Sequence, residues 1–322
     1  MKTLVIGGAG FIGSHFVDRL LAEGHRVTVF DNLSTGRKAH LNSVAKNARF
    51  RFVSGDILKG QLLEKNVKGQ DLVFHLAANS DIMRAMRDPG LDFEQGIRAT
   101  FRVLEAMRKS NSGKLVYFSG SGIYGDFGRT YVDESYGPLN PKSMYGAAKL
   151  SSEAMISAYS HLYGLQAWIF RPANIIGPRP THGVIYDFIR KLQRNPKRLD
   201  ILGDGRQSKS YLHVRDLLDA VFFTLQKARA PLNQFNLASE TYLSVRGIAD
   251  IVTEAMGLKG VTRMHFGKSE RGWKGDVPHY RLSIKAIKAL GWKPSMTSET
   301  AVERTAYEIL AEMDLQAAGG GR

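Results

Sequence analysis

Tyr145 and Lys149 stand four residues apart in the segment YGAAK. In a helix, positions i and i+4 share one face. A tyrosine hydroxyl titrates near ~10 when unperturbed, so it needs help to take a proton near neutral pH. An ammonium group one turn away favours the phenolate, and a further positive charge would favour it more. Such a pair can serve as acid and base on an alcohol. The pattern is short and common by itself, and what precedes it gives it weight. LVYFSGSGIYG, residues 115–125, reads as a buried strand from Leu115 to Phe118 that runs into a Ser/Gly turn, with hydroxyls at Ser119 and Ser121.

A second constellation lies at the start of the chain. Gly7-Gly8-Ala9-Gly10-Phe11-Ile12-Gly13 follows a short β-branched strand over 2–6 and opens a helix with apolar residues at Phe11, Ile12, Phe16, Val17, Leu20 and Leu21. Gly8, Gly10 and Gly13 satisfy a dinucleotide fingerprint. Glycines there allow a tight turn, close approach of a pyrophosphate, and close packing of helix on strand, while the helix N-terminus offers free N–H groups and a positive dipole end. Gly7, Gly10, Phe11 and Ile12 are therefore expected to line the cofactor. Asp31 ends the next strand, RVTVFD at 26–31, 18 residues beyond Gly13. A carboxylate at that place accepts from ribose hydroxyls and repels a 2′-phosphate, which favours NAD over NADP. The nicotinamide ring of NAD also carries the further positive charge that Tyr145 needs.

The elements that must position these residues alternate. Strands are expected at 2–6, 26–31, 49–53, 71–76, 114–119 and 165–172, and helices at 11–23, 91–109 and 144–163. This is the pattern of an α/β, Rossmann-like, doubly wound parallel sheet. Beyond residue 173 turns and short segments take over, with helices near 245–257 and 298–314 and loops carrying Trp273 and Trp292. The spacing predicts a dinucleotide-binding domain over 1–172 with 211–238 returning to it, a smaller substrate-binding α/β part over 173–316, and a disordered tail over 317–322.

Composition narrows the chemistry. The 322 residues include no cysteine, which excludes disulfides, thiolate catalysis and Cys-ligated metal. His75, His182 and His213 are scattered, so no metal site is expected. No apolar run reaches the about 18 residues of a membrane span, and MKTLVIGGAGFIG lacks the pattern of a signal peptide; a cytoplasmic location is expected. The formal charge of +15 suits anionic ligands, but the basic residues are spread along the chain. Their densest run, Arg190, Lys191, Arg194, Lys197 and Arg198, reads as one solvated helix and the turn after it, so nucleic acid is not an expected partner.

Together GGAGFIG, DNLSTG (31–36), GDI (55–57), HLAAN (75–79), IYG (123–125), YGAAK, RPANIIGPR (171–179), GDG (203–205) and GDVP (275–278) resemble the extended short-chain dehydrogenase/reductases of the NAD-dependent epimerase/dehydratase family over nearly the whole chain. HGVIYDFIRKLQRNP with LGDGRQSKSYLHVRD is most similar to UDP-galactose (UDP-glucose) 4-epimerases. The resemblance implies that Tyr145 is the acid and base on a sugar 4-hydroxyl, and that Lys149 holds the nicotinamide ribose. It places Asp31, Asn32, Ser34, Gly36, Asp56 and Ile57 at the adenosine end of NAD, with Leu76, Ala77 and Ala78 along it. It also puts Asn174, Lys209 and Arg271 on the diphosphate, backbone groups of Val184 and Ile185 beside the nucleotide, and Tyr280 at the sugar pocket, where its bulk favours an unmodified hexose. The expected assembly is a homodimer through the helices at 91–109 and 144–163.

Two positions depart from the resemblance. Gly120 stands where the family usually has a Ser or Thr hydroxyl for the reacting oxygen, so Ser119 and Ser121 become candidates to replace it. Gly96 stands where the family usually has Asn. The same turn lacks the acid and base that 4,6-dehydratases place before the Tyr-Gly, and the Glu of UDP-glucuronate decarboxylases. Nucleotide-sugar 4-epimerisation between UDP-glucose and UDP-galactose through a transient 4-keto sugar is the leading expectation. An epimerase or reductase on a GDP-, CDP- or dTDP-linked sugar, or a catalytically weakened NAD-binding regulatory protein, stays open.

Overall fold

Seven strands form the central sheet of the computed structural model, which describes residues 1–272 and 277–319. From edge to edge they are Leu232–Leu237, Gln166–Pro172, Lys114–Phe118, Leu72–His75, Lys2–Ile6, Arg26–Asp31 and Phe50–Ser54. All five registered pairs from Gln166–Pro172 to Phe50–Ser54 run parallel. A parallel sheet is covered on both faces, so its strands are continuous apolar runs. Leu4, Val5, Ile6, Val73 and Phe74 are accordingly shut off from solvent. The chain moves to one side of Lys2–Ile6 for its next two strands, then crosses to the other side for Leu72–His75. That reversal opens the crevice beyond the strand ends where such sheets take their ligands. The fold is the expected Rossmann-like α/β class.

The chain divides into two compact units, Met1–Gly125 with Tyr136–Pro172 and Val221–Phe235, and Asp126–Ser135 with Ala173–Ala220 and Asn236–Arg322. In the first, the Ala99–Lys109 and Met144–Tyr163 helices contribute Val103, Leu104, Met107 and Ile156 to a core with the sheet. In the second, helices Val184–Arg194, Val245–Ala255 and Ser298–Gly319 enclose Ile185, Phe188, Ile189, Leu192, Ile248, Val252, Val302 and Ala306.

Four expectations differ from the structure. The segment returning to the first unit is 221–235, not 211–238, because Tyr211–His213 pairs with Asn174–Ile176 and the Asn236 amide Nδ2 donates to the Val132 and Ser283 carbonyls. Residues 126–135 join the second unit through the pairing of Tyr131–Val132 with Arg281–Leu282. The last helix continues to Gly319, so the expected tail begins as helix; residues 320–322, like Trp273 and the Gly275-Asp276 half of GDVP, lie outside the described residues. The single helix expected over 91–109 is instead a short turn at Gly90–Asp92, a π-helical stretch at Phe93–Arg98, and a regular helix from Ala99.

Candidate active site

The helix that carries Tyr145 and Lys149 starts at a Ser143 cap whose Oγ accepts from the Gly146 N–H at 3.1 Å. Such a cap satisfies one of the open donors of a helix start and is worth about 1 kcal/mol. Gly146 then lets the helix meet the turn: a Cβ there would lie 2.5 Å from the Gly122 carbonyl oxygen. Lys149 is 5% exposed and reaches back to the end of the Lys114–Phe118 strand, its Nζ donating to the Phe118 carbonyl at 2.6 Å. The ammonium stands 5.6 Å from the centre of the Tyr145 ring and 4.9 Å from that of Tyr117. Burial pulls Lys149 down to about 8, against the opposing pull of Glu153 and Asp92. Burial, with Asp92 second, pushes the Tyr145 phenol up to about 12. Tyr145 is thus a neutral phenol at physiological pH until another positive charge arrives.

The Ser/Gly turn lies over this pair. Ser119 is buried; its N–H donates to the Phe170 carbonyl at 2.8 Å, and its Oγ has no hydrogen-bond partner. Ser121 opens a short 3₁₀ turn, its carbonyl accepting from the Tyr124 N–H at 3.2 Å. Among the described contacts neither serine hydroxyl reaches Tyr145. Gly120 does face it: a Cβ built there would stand 3.8 Å from Tyr145 Cε1 and 3.9 Å from its hydroxyl oxygen. The Gly120 φ of −178° is extended backbone open to any residue.

Residues that sequence reasoning missed pin the turn. Arg171 and Glu153, each 4% exposed, form an ion pair at 2.7 Å, and Arg171 Nη1 donates to the Tyr124 hydroxyl at 2.9 Å. Glu153 sits one turn beyond Lys149, so its spacing was a legible signal; Arg171 was not, because its partners are distant in sequence. Removing one partner of such a buried pair typically costs about 3–5 kcal/mol.

The glycine-rich turn has the shape a dinucleotide requires. Gly7 has a φ of +83° and lies so near the fourth strand's end that a Cβ would stand 2.6 Å from the Ala77 nitrogen. A Cβ at Gly13 would be 2.2 Å from the Gly7 carbonyl oxygen, and one at Gly10 3.3 Å from the same atom. The Phe11–Ala22 helix starts without a side-chain cap, which leaves its first N–H groups to a ligand. Asp31, nearly buried, accepts from the Ala9 and Leu33 N–H groups at 2.9 and 2.8 Å. The loop through Asn32, Ser34 and Gly36 folds over the turn, with the Arg37 N–H on the Ala9 carbonyl at 3.0 Å. Leu76 and Ala77 follow the fourth strand, both N–H groups on the Ile6 carbonyl, and Ala78 comes next. Asp56 caps its own turn through the Leu58 N–H at 2.9 Å, and Ile57 packs on the core. The first unit therefore brings the cofactor residues and the Tyr–Lys pair to the ends of the central strands, and it fits NAD.

The substrate-side candidates all fall in the second unit. Asn174 pairs in register with Tyr211, and the Lys209 ammonium lies 6.0 Å from the Tyr280 ring centre. The Val184–Arg194 helix has Gly183 at its N-cap and no side-chain cap, so the Val184 and Ile185 N–H groups are open while the Ile185 side chain is core. Arg271 is occupied: its guanidinium holds Asp126 at 2.9 Å. His213 pairs with Glu308 at 2.9 Å, and His75, buried against Thr100, is held neutral with its value down to about 3, chiefly by burial. Among the described residues no group of three or more His, Asp or Glu is placed to hold a metal ion.

Residues 3–238 match the NAD dependent epimerase/dehydratase family. A putative UDP-glucose 4-epimerase of Methanocaldococcus jannaschii is 35% identical, the match covering 94% of this chain and 96% of that protein. Among solved structures, a UDP-galactose 4-epimerase superposes with a TM-score of 0.85 at 38% identity, over 97% of this chain and 99% of the other. A dTDP-glucose 4,6-dehydratase from Streptomyces venezuelae, solved with NAD bound, superposes with a TM-score of 0.88 at 29% identity, over 98% of each chain. No helix among the described residues is long and apolar enough to cross a membrane. The chain is an enzyme of the NAD-dependent epimerase/dehydratase family that acts with NAD on nucleotide sugars.

Proposed function

We propose that this enzyme is a nucleotide-sugar 4-epimerase interconverting UDP-glucose and UDP-galactose. One observation carries the reading within the family: the turn that faces Tyr145, Ser119 through Ile123, contains no carboxylate, so it has neither an acid nor a base for elimination or decarboxylation. What remains is redox at one carbon without net change. NAD, when bound, would supply the hydride acceptor and donor and, in its oxidised form, a further positive charge. Tyr145 takes the proton of the 4-hydroxyl as the C4–H bond breaks, and returns it when hydride re-enters on the other face of the turned 4-keto sugar. Proton and electron pair both come back to the sugar. Lys149, fixed by the Phe118 carbonyl, supports the phenolate and orients the ribose.

On the substrate side Asn174, Lys209 and Arg271 bind the diphosphate, the open N–H groups at Val184 and Ile185 border the nucleotide, and Tyr280 limits the sugar pocket. Arg271 must exchange Asp126 for the diphosphate to do so. Ser119 or Ser121 supplies part of the missing hydroxyl, which makes a slow enzyme. A cytoplasmic homodimer belongs to the same reading; Phe93 and Phe101, Leu162 and Tyr163 are exposed apolar residues on the helices that would form it. The test is to incubate NAD-loaded protein with UDP-glucose and with UDP-galactose and to follow their interconversion. Turnover of a GDP-, CDP- or dTDP-sugar but no UDP-hexose moves the activity to another substrate. No turnover of any nucleotide sugar at high enzyme concentration defeats the reading.

A further inference from the structure

One buried carboxylate near the Tyr–Lys pair has no part in the chemistry above. Asp92 closes the short Gly90–Asp92 turn and is 2% exposed. Its Oδ1 accepts from Asn79 Nδ2 at 2.9 Å, while its Oδ2 is buried with no hydrogen-bond partner. Asn79 cannot swing to serve both oxygens. Its Nδ2 also donates to the Asp81 carbonyl at 3.0 Å, and its Oδ1 accepts from the Asp81 N–H at 2.9 Å. Leaving a carboxylate oxygen buried and unmatched is costly, so it calls for a reason.

Two observations supply one. The π-helical stretch after Asp92 lies hard against the Tyr–Lys helix, where a Cβ on Gly96 would stand 2.8 Å from the Cβ of Ala148, the residue just before Lys149. The side chain that the family resemblance places at 96 has no room here, and the turn that ends in Asp92, four residues earlier, packs against the same helix. In turn, the Asp92 charge acts on Tyr145 and, after the larger pull of Glu153, on Lys149; burial pushes Asp92 itself up, against the Asn79 hydrogen bond and the Lys149 charge. The other charges about Asp92 are accounted for: His75 is neutral, Glu153 is bound to Arg171, Glu94 to Arg98, and Asp81 lies beyond Asn79.

We propose that Asp92 is a positioning residue for the Tyr145–Lys149 pair, its buried carboxylate serving as the fixed counter-charge of Lys149 in place of the side chain absent at Gly96. This rests on Tyr145 being the acid and base of the proposed reaction. Tyr145 without its negative neighbour becomes the easier to ionise, and Lys149 the easier to deprotonate; both move to lower pH.

The test uses NAD-loaded full-length protein, with ¹³C-tyrosine NMR to follow Tyr145, assigned by its loss in Tyr145→Phe, and kcat against pH. In Asp92→Asn, Tyr145 is expected to ionise at lower pH and the rising, acid-side limb of kcat, where the base must be ionised, to move down with it. The ratio of activity at about pH 9 to that at about pH 7 then falls roughly three- to tenfold, since one pH unit is a factor of ten. An unchanged Tyr145 titration and profile, whatever happens to the melting temperature, overturns the proposal and leaves Asp92 a packing residue. If Asp92→Asn does not fold, the Asp92 carboxyl followed by ¹³C NMR in wild type and in Lys149→Met decides instead: a rise in its titration point supports the proposal, and no movement overturns it. Failure of wild type to turn over nucleotide sugars would count against the epimerase reading, and both NMR titrations would still judge Asp92.

Discussion

Gly96 packs on Ala148 and Gly120 faces Tyr145, two residues of one helix three positions apart. Each glycine stands where the family resemblance puts a polar side chain. At Gly96 the helices meet so closely that a Cβ would sit 2.8 Å from another Cβ, so the small residue follows from packing. At Gly120 the backbone is extended and the nearest atoms to a built Cβ are 3.8 Å away, so nothing in the fold demands a glycine. An absent side chain can therefore mean an occupied space or an empty one, and only the tertiary neighbour tells which.

The sharpest break would come from Tyr145→Phe. If Gly120 matters through Tyr145, this variant loses on the order of 10²–10⁴-fold in kcat at unchanged NAD content, and a second change at Gly120 then alters nothing. Gly96→Asn comes next. Overpacking against Ala148 should cost about 1–3 kcal/mol, read as a lower denaturation midpoint, and adding Ala148→Gly should restore much of it. Full stability in the single variant would show that the helices yield easily. Gly120→Ser should raise kcat on the order of tenfold by giving the reacting oxygen a hydroxyl, without a stability loss; an unchanged or lower rate would mean that another group already does the work. Gly120→Ala is the smallest effect, a gain of about 0.4–1 kcal/mol from a less flexible unfolded chain with kcat unmoved.

How much of this was legible in the sequence follows the same division. The glycine turn, Asp31, the strand that ends at Phe118 and the Tyr–Lys spacing are local patterns, each set by the residues within one turn or one strand, and the Rossmann-like sheet could be read from their alternation. The break in the 91–109 helix could not, because the surface that stretch packs against at Gly96 is Ala148, more than fifty residues away in the chain. The same holds for the pairing of Arg271 with Asp126, and for the Glu153–Arg171–Tyr124 network: charge tells that a group needs a partner, but not which one the fold brings. Asp92 was hidden for a related reason. Its hydrophilic type fits an exposed helix start, and only its burial sets it apart.

The anchoring of the turn has a use in protein engineering. Its first residue is tied to the sheet through the Ser119 N–H, its Tyr124 is held by Arg171, and Gly125, with a φ of +82°, closes the far end against Asn140. Between these anchors Gly120 and Gly122 present open Cβ directions, the second with its nearest atom at 3.7 Å. Residues 120–122 thus form a short cassette clamped at both ends, into which the side chains of other reaction types can be transplanted while the buried Ile123, the cofactor turn and the Tyr–Lys helix stay as they are.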